Sequence, residues 1–208
     1  MKILIIDDHQ LFLEGMEFIF KSRDYDTVCV TSLDAAIEEL NSPDDFDLAL
    51  VDIELAGSSG LTLLQYIKQE KLLIPVVIIS ADASPSTVSK SIRAGASGYI
   101  PKSYSGAHVM EAIMQVLEGV LFLPENLIKS VQIYEQKLEN MAQQYGVGQR
   151  QLDVLGYIDR GLSNKDIGAA MYISESTVKS HIVALFKAFK ARNRVDCIKQ
   201  AQAQGLLK

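Results

Sequence analysis

Short apolar runs alternate with helical periodicity over the first 120 residues. The apolar runs have the length of buried strands, and the segments between them repeat apolar residues at three- and four-residue spacing. Strands that alternate with helices form a parallel sheet covered on both faces. The pattern predicts a doubly wound five-stranded parallel α/β sheet, with strands at residues 2–6, 27–31, 47–51, 76–80 and 97–100 and helices at residues 11–20, 33–40, 60–70, 85–94 and 105–118.

The pattern changes after residue 120. No apolar stretch can span a membrane, because the longest, residues 72–81, has half the required length and contains Pro75. The middle segment is polar and helix-favouring, and only helical periodicity follows it, at residues 149–160, 164–171, 175–190 and 194–204. We therefore predict an α/β domain at residues 1–123, a helical linker at 124–146 and an all-α four-helix domain at 147–208.

The charge distribution agrees with this division. Residues 1–124 contain 8 Lys and Arg against 18 Asp and Glu, a net charge of −10, whereas residues 145–208 contain 10 against 5, a net charge of +5. A basic second domain suits a polyanionic partner, although it is also an ordinary solvated surface. Cys29 and Cys197 lie far apart and lack metal-ligand spacing, which indicates buried thiols in a reducing cytoplasm.

Polar side chains stand at the carboxyl ends of the predicted strands, where ligands bind in an open parallel sheet. The first strand ends at Asp7 and Asp8, the third at Asp52 and the fourth at Ser80, and Lys102 follows the fifth. Carboxylates that lie close together concentrate negative charge, which is unfavourable unless a cation binds, and such a cluster of oxygen atoms suits Mg²⁺. Asp52 can then act as a nucleophile towards a phosphoryl donor, with Lys102 and Ser80 contacting the phosphoryl oxygens.

Two helix starts separated by a short turn mark the second domain. Ser163 and Asp166 have the spacing of a capping box, after Gly161 closes the preceding helix. Ser174 is a second N-cap candidate, so a turn of about four residues, 171–174, lies between two helices. This arrangement is that of a helix-turn-helix.

The second of these helices has one apolar and one polar face. The predicted buried face consists of Val178, Ile182, Leu185, Phe186 and Phe189, and the outward face of Lys179, Ser180, Val183, Lys187 and Lys190. For double-stranded DNA, the predicted base contacts in the major groove are Lys179, Ser180 and Val183, and the predicted phosphate contacts are Lys165, Thr177 and Lys187. The alternative is a helical bundle with a solvated basic face. His181 is expected to pack at the helix edge, since no second metal ligand accompanies it.

The residues at the strand ends resemble a known signature. Asp7-Asp8, Asp52, Ser80-Ala81, Tyr99 and Lys102 together resemble the receiver domains of response regulators, over residues 1–120. The resemblance implies a flavodoxin/CheY-like fold, phosphorylation of Asp52, and Mg²⁺ held by Asp8 and Asp52 with Asp7 acting through water. It also implies that Ser80 and Tyr99 rearrange together on phosphorylation.

Some positions depart from the pattern of that family. The loop after Asp52 contains Leu55-Ala56-Gly57 and Ser59-Gly60, where the family usually has Met-Pro-Gly and a later Asp-Gly. Ser103 replaces a frequent proline after the pocket lysine. None of these departures removes a chemical group, so they concern the switching rate and not the chemistry.

The second half resembles the output domain of the NarL/FixJ (LuxR-type) family over about residues 147–206. The resemblance lies in Gly161-Leu-Ser-Asn-Lys-Asp-Ile and in Ile173-Ser-Glu-Ser-Thr-Val-Lys-Ser-His181. Arg150 is kept, but Gln151 and Asp153 replace two glutamates, so a family ion pair is expected to be missing or altered. The two resemblances together imply a DNA-binding transcriptional response regulator of a phosphorelay two-component system. Its implied partners are a sensor histidine kinase, double-stranded DNA and a second copy of the chain.

Two other classes of function are compatible with parts of the sequence. The first is an enzyme, a phosphatase or phosphotransferase that uses Asp52 on an external substrate. Such enzymes usually have a general acid and a substrate cap; Glu54 is the only nearby acid candidate and no cap insertion interrupts the strands. We therefore expect no enzymatic activity beyond self-phosphorylation at Asp52. The second is a protein-interaction module whose output domain has lost DNA binding. The presence of Lys165, Thr177 and Lys179 at predicted DNA contacts is evidence against this class.

The linker has a stripe of apolar residues at alternating four- and three-residue steps. Such a stripe is typical of a coiled-coil seam and would pair the linker with its symmetry mate. It is equally typical of a helix that packs on the chain's own domains, and both alternatives stay open. The stripe consists of Leu127, Val131, Tyr134, Leu138, Met141 and Tyr145.

Overall fold

The computed structural model describes residues 1–42, 45–171, 173–204 and 206–207, without the side chains of Met141 and Ala142. The chain divides into two compact units, residues 1–132 and 133–208. The first is α/β and the second is all-α, as the apolar patterns predicted. Tyr172, in the predicted helix-turn-helix turn, and the Met141 side chain of the linker stripe lie outside the described residues.

The first unit is built on a five-stranded parallel sheet. Along the sheet the strands follow the order β2-β1-β3-β6-β7, which is the flavodoxin-like order. A parallel sheet of this kind is buried on both faces, which explains why every residue of β3 and β6 is buried. The strands are β1 (Lys2–Ile6), β2 (Asp26–Val30), β3 (Leu48–Asp52), β6 (Val76–Ser80) and β7 (Gly98–Pro101).

Successive residues of the central strands feed two separate apolar clusters. Leu4 and Ile6 belong to one cluster, and Ile3 and Ile5 belong to the other, because side chains alternate across a strand. In the described part of the first unit five helices cover the two faces, and three of them start at a serine cap; for example, the Ser32 hydroxyl accepts a hydrogen bond from the backbone N–H three residues later. These helices are α1 (Gln10–Lys21), α2 (Leu33–Leu40), α3 (Leu61–Gln69), α4 (Pro85–Ala94) and α5 (Gly106–Leu117).

Two features of the sheet were not predicted from the sequence. The loop after Asp52 contains a small antiparallel pair, β4 (Glu54–Leu55) and β5 (Ser58–Ser59), in which Leu55 is buried. The chain after α5 also pairs with β7 through a parallel bridge between Gly98 and Phe122. The loop that lacks the family's usual stiffening residues is thus ordered by its own hairpin.

The linker forms α6 (Glu125–Tyr145), and its apolar stripe is divided between the units. Leu127 and Val131 are buried in the first unit, in the cluster that contains Tyr99. Tyr145 packs in the second unit, where its ring contacts Phe189. These three positions therefore serve the folding of their own units, which supports the intramolecular alternative for them.

In the described residues of the second unit, the end of α6 and four further helices surround one apolar cluster. The Ser163 hydroxyl accepts a hydrogen bond from the Asp166 N–H, and the Asp166 carboxylate accepts one from the Ser163 N–H. The predicted capping box is therefore confirmed. Gly161 closes the preceding helix at φ +79°, a left-handed conformation that favours glycine. The helices are α7 (Gln149–Asp159), α8 (Asn164–Met171), α9 (Glu175–Ala188) and α10 (Arg194–Ala203).

No described helix is both long enough and apolar enough to cross a bilayer. Both cysteines are free thiols; Cys197 is buried as predicted, whereas Cys29 is only half-buried, so the prediction of a buried thiol was wrong there. Burial raises the pKa of the Cys197 thiol to about 11, so this residue behaves as a small apolar core residue.

Candidate functional site

The strand ends bring the predicted residues of the first unit into one pocket. Asp7 and Asp52 are almost completely buried, and the Lys102 ammonium lies between their carboxylates. Lys102 Nζ is 2.6 Å from Asp7 Oδ2 and 2.7 Å from Asp52 Oδ2. The fold holds Lys102 there because its backbone N–H donates to the Ser80 carbonyl at 2.8 Å, which fixes the chain after β7 against β6.

Burial and charge perturb both ionisable partners in this pocket. Burial raises the pKa of Asp52, and the nearby Asp7 charge raises it further, while the hydrogen bond from Lys102 acts in the opposite direction. Burial by itself would lower the pKa of Lys102, but the hydrogen bonds and charges of Asp52 and Asp7 outweigh it and raise that pKa. Two carboxylates and one ammonium therefore leave the buried part of the pocket with an excess of negative charge.

The predicted switch residues lie next to this pocket. Ser80 is buried, and its hydroxyl accepts a hydrogen bond from the Asp82 N–H at 3.1 Å. Tyr99 is fully buried, with its hydroxyl donating to the Asp82 carbonyl. Burial raises the pKa of Tyr99 to about 12, so the phenol stays a neutral donor. Both side chains thus contact the same segment after β6, which is the arrangement that a coupled rearrangement requires.

The acidic end of the pocket suits a hard cation. One oxygen or nitrogen atom from each of Asp7, Asp8, His9 and Asp52 lies within 4.8 Å of the others. Asp7 Oδ2 and Asp8 Oδ1 are buried oxygen atoms that lie at ion-pair distance from Lys102 Nζ and His9 Nδ1, respectively. Buried oxygen atoms on clustered carboxylates fit Mg²⁺ better than an apolar or neutral ligand.

Sequence reasoning missed two neighbours of this pocket. His9 Nδ1 is 3.1 Å from Asp7 Oδ1 and 2.9 Å from Asp8 Oδ1, although its position directly after two aspartates was a signal that could have found it. The Phe12 ring lies 4.9 Å from Lys102 Nζ, in cation–π range. No signal in the sequence pairs Phe12 with Lys102, because Phe12 lies on α1 and Lys102 lies in the loop after β7.

Two acidic residues flank the pocket in different ways. Glu54 is exposed, and its N–H donates to Asp52 Oδ1 at 3.3 Å. The Asp82 carboxylate accepts hydrogen bonds from the Ser84 N–H, the Ser84 hydroxyl and the Thr87 hydroxyl, at the start of α4. Asp82 is therefore engaged in capping a helix, which leaves Glu54 as the carboxylate with the freer side chain.

In the second unit, α9 has the two faces that the sequence predicted. Val178, Ile182, Leu185 and Phe189 are buried, Phe186 is half-buried, and His181 is half-buried at the edge. The predicted DNA contacts are all exposed: Lys165 on α8, and Thr177, Lys179, Ser180, Val183 and Lys187 on α9. Of these, Lys179 forms an exposed ion pair with Glu175 at 2.8 Å, one helical turn away.

The first turn of α9 is held by its predicted cap. The Ser174 hydroxyl accepts a hydrogen bond from the Thr177 N–H at 3.1 Å. The α8–α9 junction is also sterically tight, because a Cβ on Gly168 would lie 2.8 Å from the Ile173 carbonyl oxygen. Upstream, Gln151 Oε1 accepts a hydrogen bond from the Gly148 N–H, and Asp153 Oδ1 accepts one from Gln149 Nε2, so the side chains at the two positions where the family has glutamates form local hydrogen bonds with neutral donors.

Comparisons with known proteins agree with the two halves. The profile described as "Response regulator receiver domain" matches residues 3–114, and that described as "Bacterial regulatory proteins, luxR family" matches residues 147–201. The glycerol metabolism activator of Pseudomonas putida is 33% identical over 210 residues, covering 96% of this chain and 94% of that protein. The nitrate/nitrite response regulator NarP of Escherichia coli is 30% identical over 195 residues, covering 93% and 91%.

A solved structure shares the fold at lower identity. The response regulator RcsB, in its complex with DNA, is 18% identical to this chain, with a TM-score of 0.62 and coverage of 98% of both chains. At this identity the likeness concerns the fold alone.

Proposed function

This chain belongs to the two-component response regulators that carry a luxR-family DNA-binding domain, and from this premise we propose that phosphorylation of Asp52 switches its binding to DNA. The observation that carries the proposal is the placement of the Asp52 carboxylate against Lys102 at the carboxyl edge of the sheet. The remaining proposals concern the donor, the cation, the DNA contacts and the partners.

At Asp52, a carboxylate oxygen attacks the phosphorus atom of the donor. A P–O bond forms to Asp52, the bond to the leaving group breaks, and a small donor such as acetyl phosphate departs as acetate. Lys102 is 2.7 Å from Asp52 Oδ2, close enough to neutralise charge that gathers on the transferred group. The Ser80 hydroxyl would donate to another phosphoryl oxygen, which would require it and Tyr99 to exchange their contacts around Asp82.

We propose that Asp8 and Asp52 hold Mg²⁺ directly and that Asp7 does so through water. A bound Mg²⁺ would offset the charge of the carboxylates and orient the phosphoryl oxygens. The clustering of the Asp7, Asp8 and Asp52 carboxylates, with buried oxygen atoms on Asp7 and Asp8, supports this assignment. The Lys102 ammonium already neutralises part of this charge through Asp7 and Asp52, so Mg²⁺ and Lys102 would contact the same carboxylates.

In the output domain, α9 would enter the major groove. Lys179, Ser180 and Val183 would contact base edges, and Lys165, Thr177 and Lys187 would contact phosphates. Their exposure on one side of a capped helix pair supports this role. We also propose a homodimer, because two recognition helices read two half-sites about one helical turn apart. A sensor histidine kinase would supply the phosphoryl group, and a cytoplasmic location stays a prediction.

The test of Asp52 uses intact mass spectrometry of the full chain with acetyl phosphate and Mg²⁺. We expect one phosphoryl group on the wild type, and none without Mg²⁺. Asp52→Asn should gain no phosphoryl mass, whereas the exposed Glu118→Gln should behave as the wild type. A phosphoryl group on Asp52→Asn would mean that another residue is the acceptor.

A further inference from the structure

A groove in the second unit is lined by cations that have no assigned role. It follows the end of α9, has a volume of about 610 Å³, and is called the α9–α10 groove below. Its lining residues are Lys190, Arg192, Asn193, Val195, Asp196, Lys199 and Gln200. Three of the seven are basic and one is acidic, so the groove has a net positive charge.

Within the part of the chain that the structure describes, the three cations have no acidic partner, and the single carboxylate of the groove is engaged with the backbone. Within the described residues, no carboxylate lies at ion-pair distance from the side chains of Lys190, Arg192 or Lys199. Asp196 Oδ2 accepts a hydrogen bond from the Arg192 N–H at 2.8 Å. By contrast, Lys179 on the recognition helix is paired with Glu175. The groove thus presents uncompensated positive charge to solvent.

The turn after α9 places the first cation of the groove. Lys190 has φ +52° and follows the C-cap of α9, while the Ala191 N–H donates to the Phe186 carbonyl. The Lys190 side chain is exposed and lines the groove, so it is available to a ligand from solvent.

We propose that the α9–α10 groove binds phosphates of the DNA backbone next to the segment read by α9. The proposal rests on the proposed DNA-binding function and extends it by a second, flanking contact made by Lys190, Arg192 and Lys199. Lys190 directly follows the C-cap of α9 and lines the groove, so the groove begins where the recognition helix ends. A backbone polyanion matches several unpaired cations better than one base edge does.

The groove contact differs from a base contact in one measurable respect. Each phosphate that a cation neutralises releases counterions, so the logarithm of the binding constant falls with the logarithm of the salt concentration by about 0.9 for each contact. Removal of the cations therefore lowers the salt slope for every DNA sequence. It leaves the preference for one sequence over another unchanged.

The experiment uses the full chain and a fluorescent 24-base-pair duplex of random sequence. Binding of the wild type and of the triple variant Lys190→Gln/Arg192→Gln/Lys199→Gln is measured by anisotropy from about 50 to 200 mM KCl. We expect the salt slope of the variant to fall by about 2 to 3. The matched control is Arg23→Gln/Lys68→Gln/Lys71→Gln, which removes the same charge from exposed positions of the first unit and should keep the wild-type slope.

The outcomes separate this inference from the function on which it rests. If the wild type binds but the groove variant keeps its slope, the groove does not contact phosphates and DNA binding still stands. An equal loss of slope in the control variant would attribute the effect to net charge and also overturn the inference. A groove variant that instead loses self-association, by light scattering, would make the groove an interface between copies. A wild type that binds no duplex at 50 mM KCl would overturn both.

The groove substitutions are at exposed or half-exposed positions, so the variant is expected to fold. Thermal unfolding followed by circular dichroism checks this directly. If the triple variant melts earlier than the wild type, the single substitution Lys199→Gln, on the outward side of α10, decides the question. A slope that falls by about 1 in that variant supports the inference, and an unchanged slope contradicts it.

Discussion

Asp52 carries its charge in a place where burial disfavours it. The raised pKa of Asp52 means that the folded receiver holds the proton more tightly than the unfolded chain does. The stability gained in this way is present at low pH and is lost as the pH rises from the unfolded pKa through the higher folded pKa. Above that window the ionised carboxylate disfavours folding, so function is maintained here at the expense of stability.

We therefore predict that Asp52→Asn stabilises the receiver at neutral pH without Mg²⁺. The midpoint of thermal unfolding should rise by about 2–5 °C, because a gain of about 1 kcal/mol in the free energy of unfolding raises the midpoint of a domain of this size by a few degrees. The measurement is thermal unfolding by circular dichroism, repeated from acidic to neutral pH. Mg²⁺ should raise the midpoint of the wild type more than that of the variant. A variant that melts lower than the wild type would show that the Lys102 contact outweighs burial.

The exposed carboxylate of Glu54 should affect the lifetime of the phosphorylated state. A phosphoryl group on Asp52 and the Glu54 carboxylate are both anionic, and repulsion of the attacking hydroxide or polarised water should protect the acyl phosphate. Glu54→Gln should then dephosphorylate faster, by a factor of about 2 to 5, which corresponds to about 0.5–1 kcal/mol. The rate is followed by the loss of phosphoryl mass. Equal rates, or a slower variant, would reject the repulsion.

Gly60 is required by a close approach of the backbone. A Cβ on Gly60 would lie 1.9 Å from the Asp52 carbonyl oxygen and 2.8 Å from Val51 Cγ1, so any side chain displaces the end of β3. We predict that Gly60→Ala destabilises the receiver by about 2 kcal/mol and slows phosphorylation of Asp52. The matched control is Gly15→Ala on α1, where nothing lies within 4 Å and alanine should stabilise the helix. Denaturant unfolding and acetyl phosphate labelling measure the two effects.

Residue types and their order revealed most of the pocket, but not its contacts. Asp7, Asp52 and Ser80 could be assigned because each ends a buried strand, and the edge of a parallel sheet brings such ends together. Phe12 could not be assigned to Lys102 in the same way. Their proximity depends on how α1 and the loop after β7 pack, and side-chain packing across elements leaves no spacing signal in the sequence.

At the scale of the element, α8 and α9 each carry one lysine with a distinct predicted DNA contact. Lys179 should contact a base edge and Lys165 a phosphate. Lys179→Ala should therefore reduce the discrimination between DNA sequences by about 1–3 kcal/mol, whereas Lys165→Ala should weaken binding to all sequences and lower the salt slope by about 1. The cost of leaving Glu175 unpaired is small, because the pair is exposed.

Selection of bound sequences from a random pool, followed by titration of the selected and of unselected duplexes, separates the two effects. Lys68→Ala in the receiver is the control for a lost surface charge. If Lys179→Ala changes neither affinity nor sequence preference, the recognition helix or its register is wrong. If Lys165→Ala changes the preferred sequence, the division between base and phosphate contacts is wrong.

Helices and central strands were predictable because their signals are local. The predicted strands at 2–6 and 76–80 and the helices at 33–40, 85–94 and 164–171 agree with the structure, since caps and apolar runs mark both ends. The two-residue strands β4 and β5 were not predicted because they are too short for any periodicity. The bridge to Phe122 was missed for another reason: it depends on where α5 returns the chain, which is a tertiary property.

At the scale of the whole molecule, the charge asymmetry of the sequence corresponds to two units with separate cores. The acidic half contains the phosphoryl-accepting pocket, and the basic half contains the exposed lysines of α9 and the α9–α10 groove. The division at residues 132 and 133 falls inside α6 and differs from the predicted domain boundaries, which stay predictions. One helix therefore contributes core residues to each unit.

The two alternative roles of the apolar stripe of α6 predict different effects of a substitution at Val131. Val131 is buried against the receiver cluster, whereas Ile133, two residues later, is 72% exposed. Val131→Asp places a charge in an apolar cluster, so the receiver should lose on the order of 3 kcal/mol of stability. Since Val131 serves its own unit, the mass in solution should not change before the receiver unfolds. Ile133→Asp is the matched control and should leave the melting midpoint unchanged.

Light scattering and thermal unfolding of the full chain test this, with and without a phosphoryl mimic such as beryllofluoride. A coiled-coil seam through Val131 would give the opposite pair of results: Val131→Asp would abolish a dimer while both units remained folded. Val131 shares its cluster with Tyr99, the buried switch residue, so the helix that leads to the output unit is packed on the part of the receiver that phosphorylation is expected to rearrange. Loss of this packing should therefore also weaken the response of DNA binding to beryllofluoride, and a full response in a folded Val131→Asp variant would contradict that coupling.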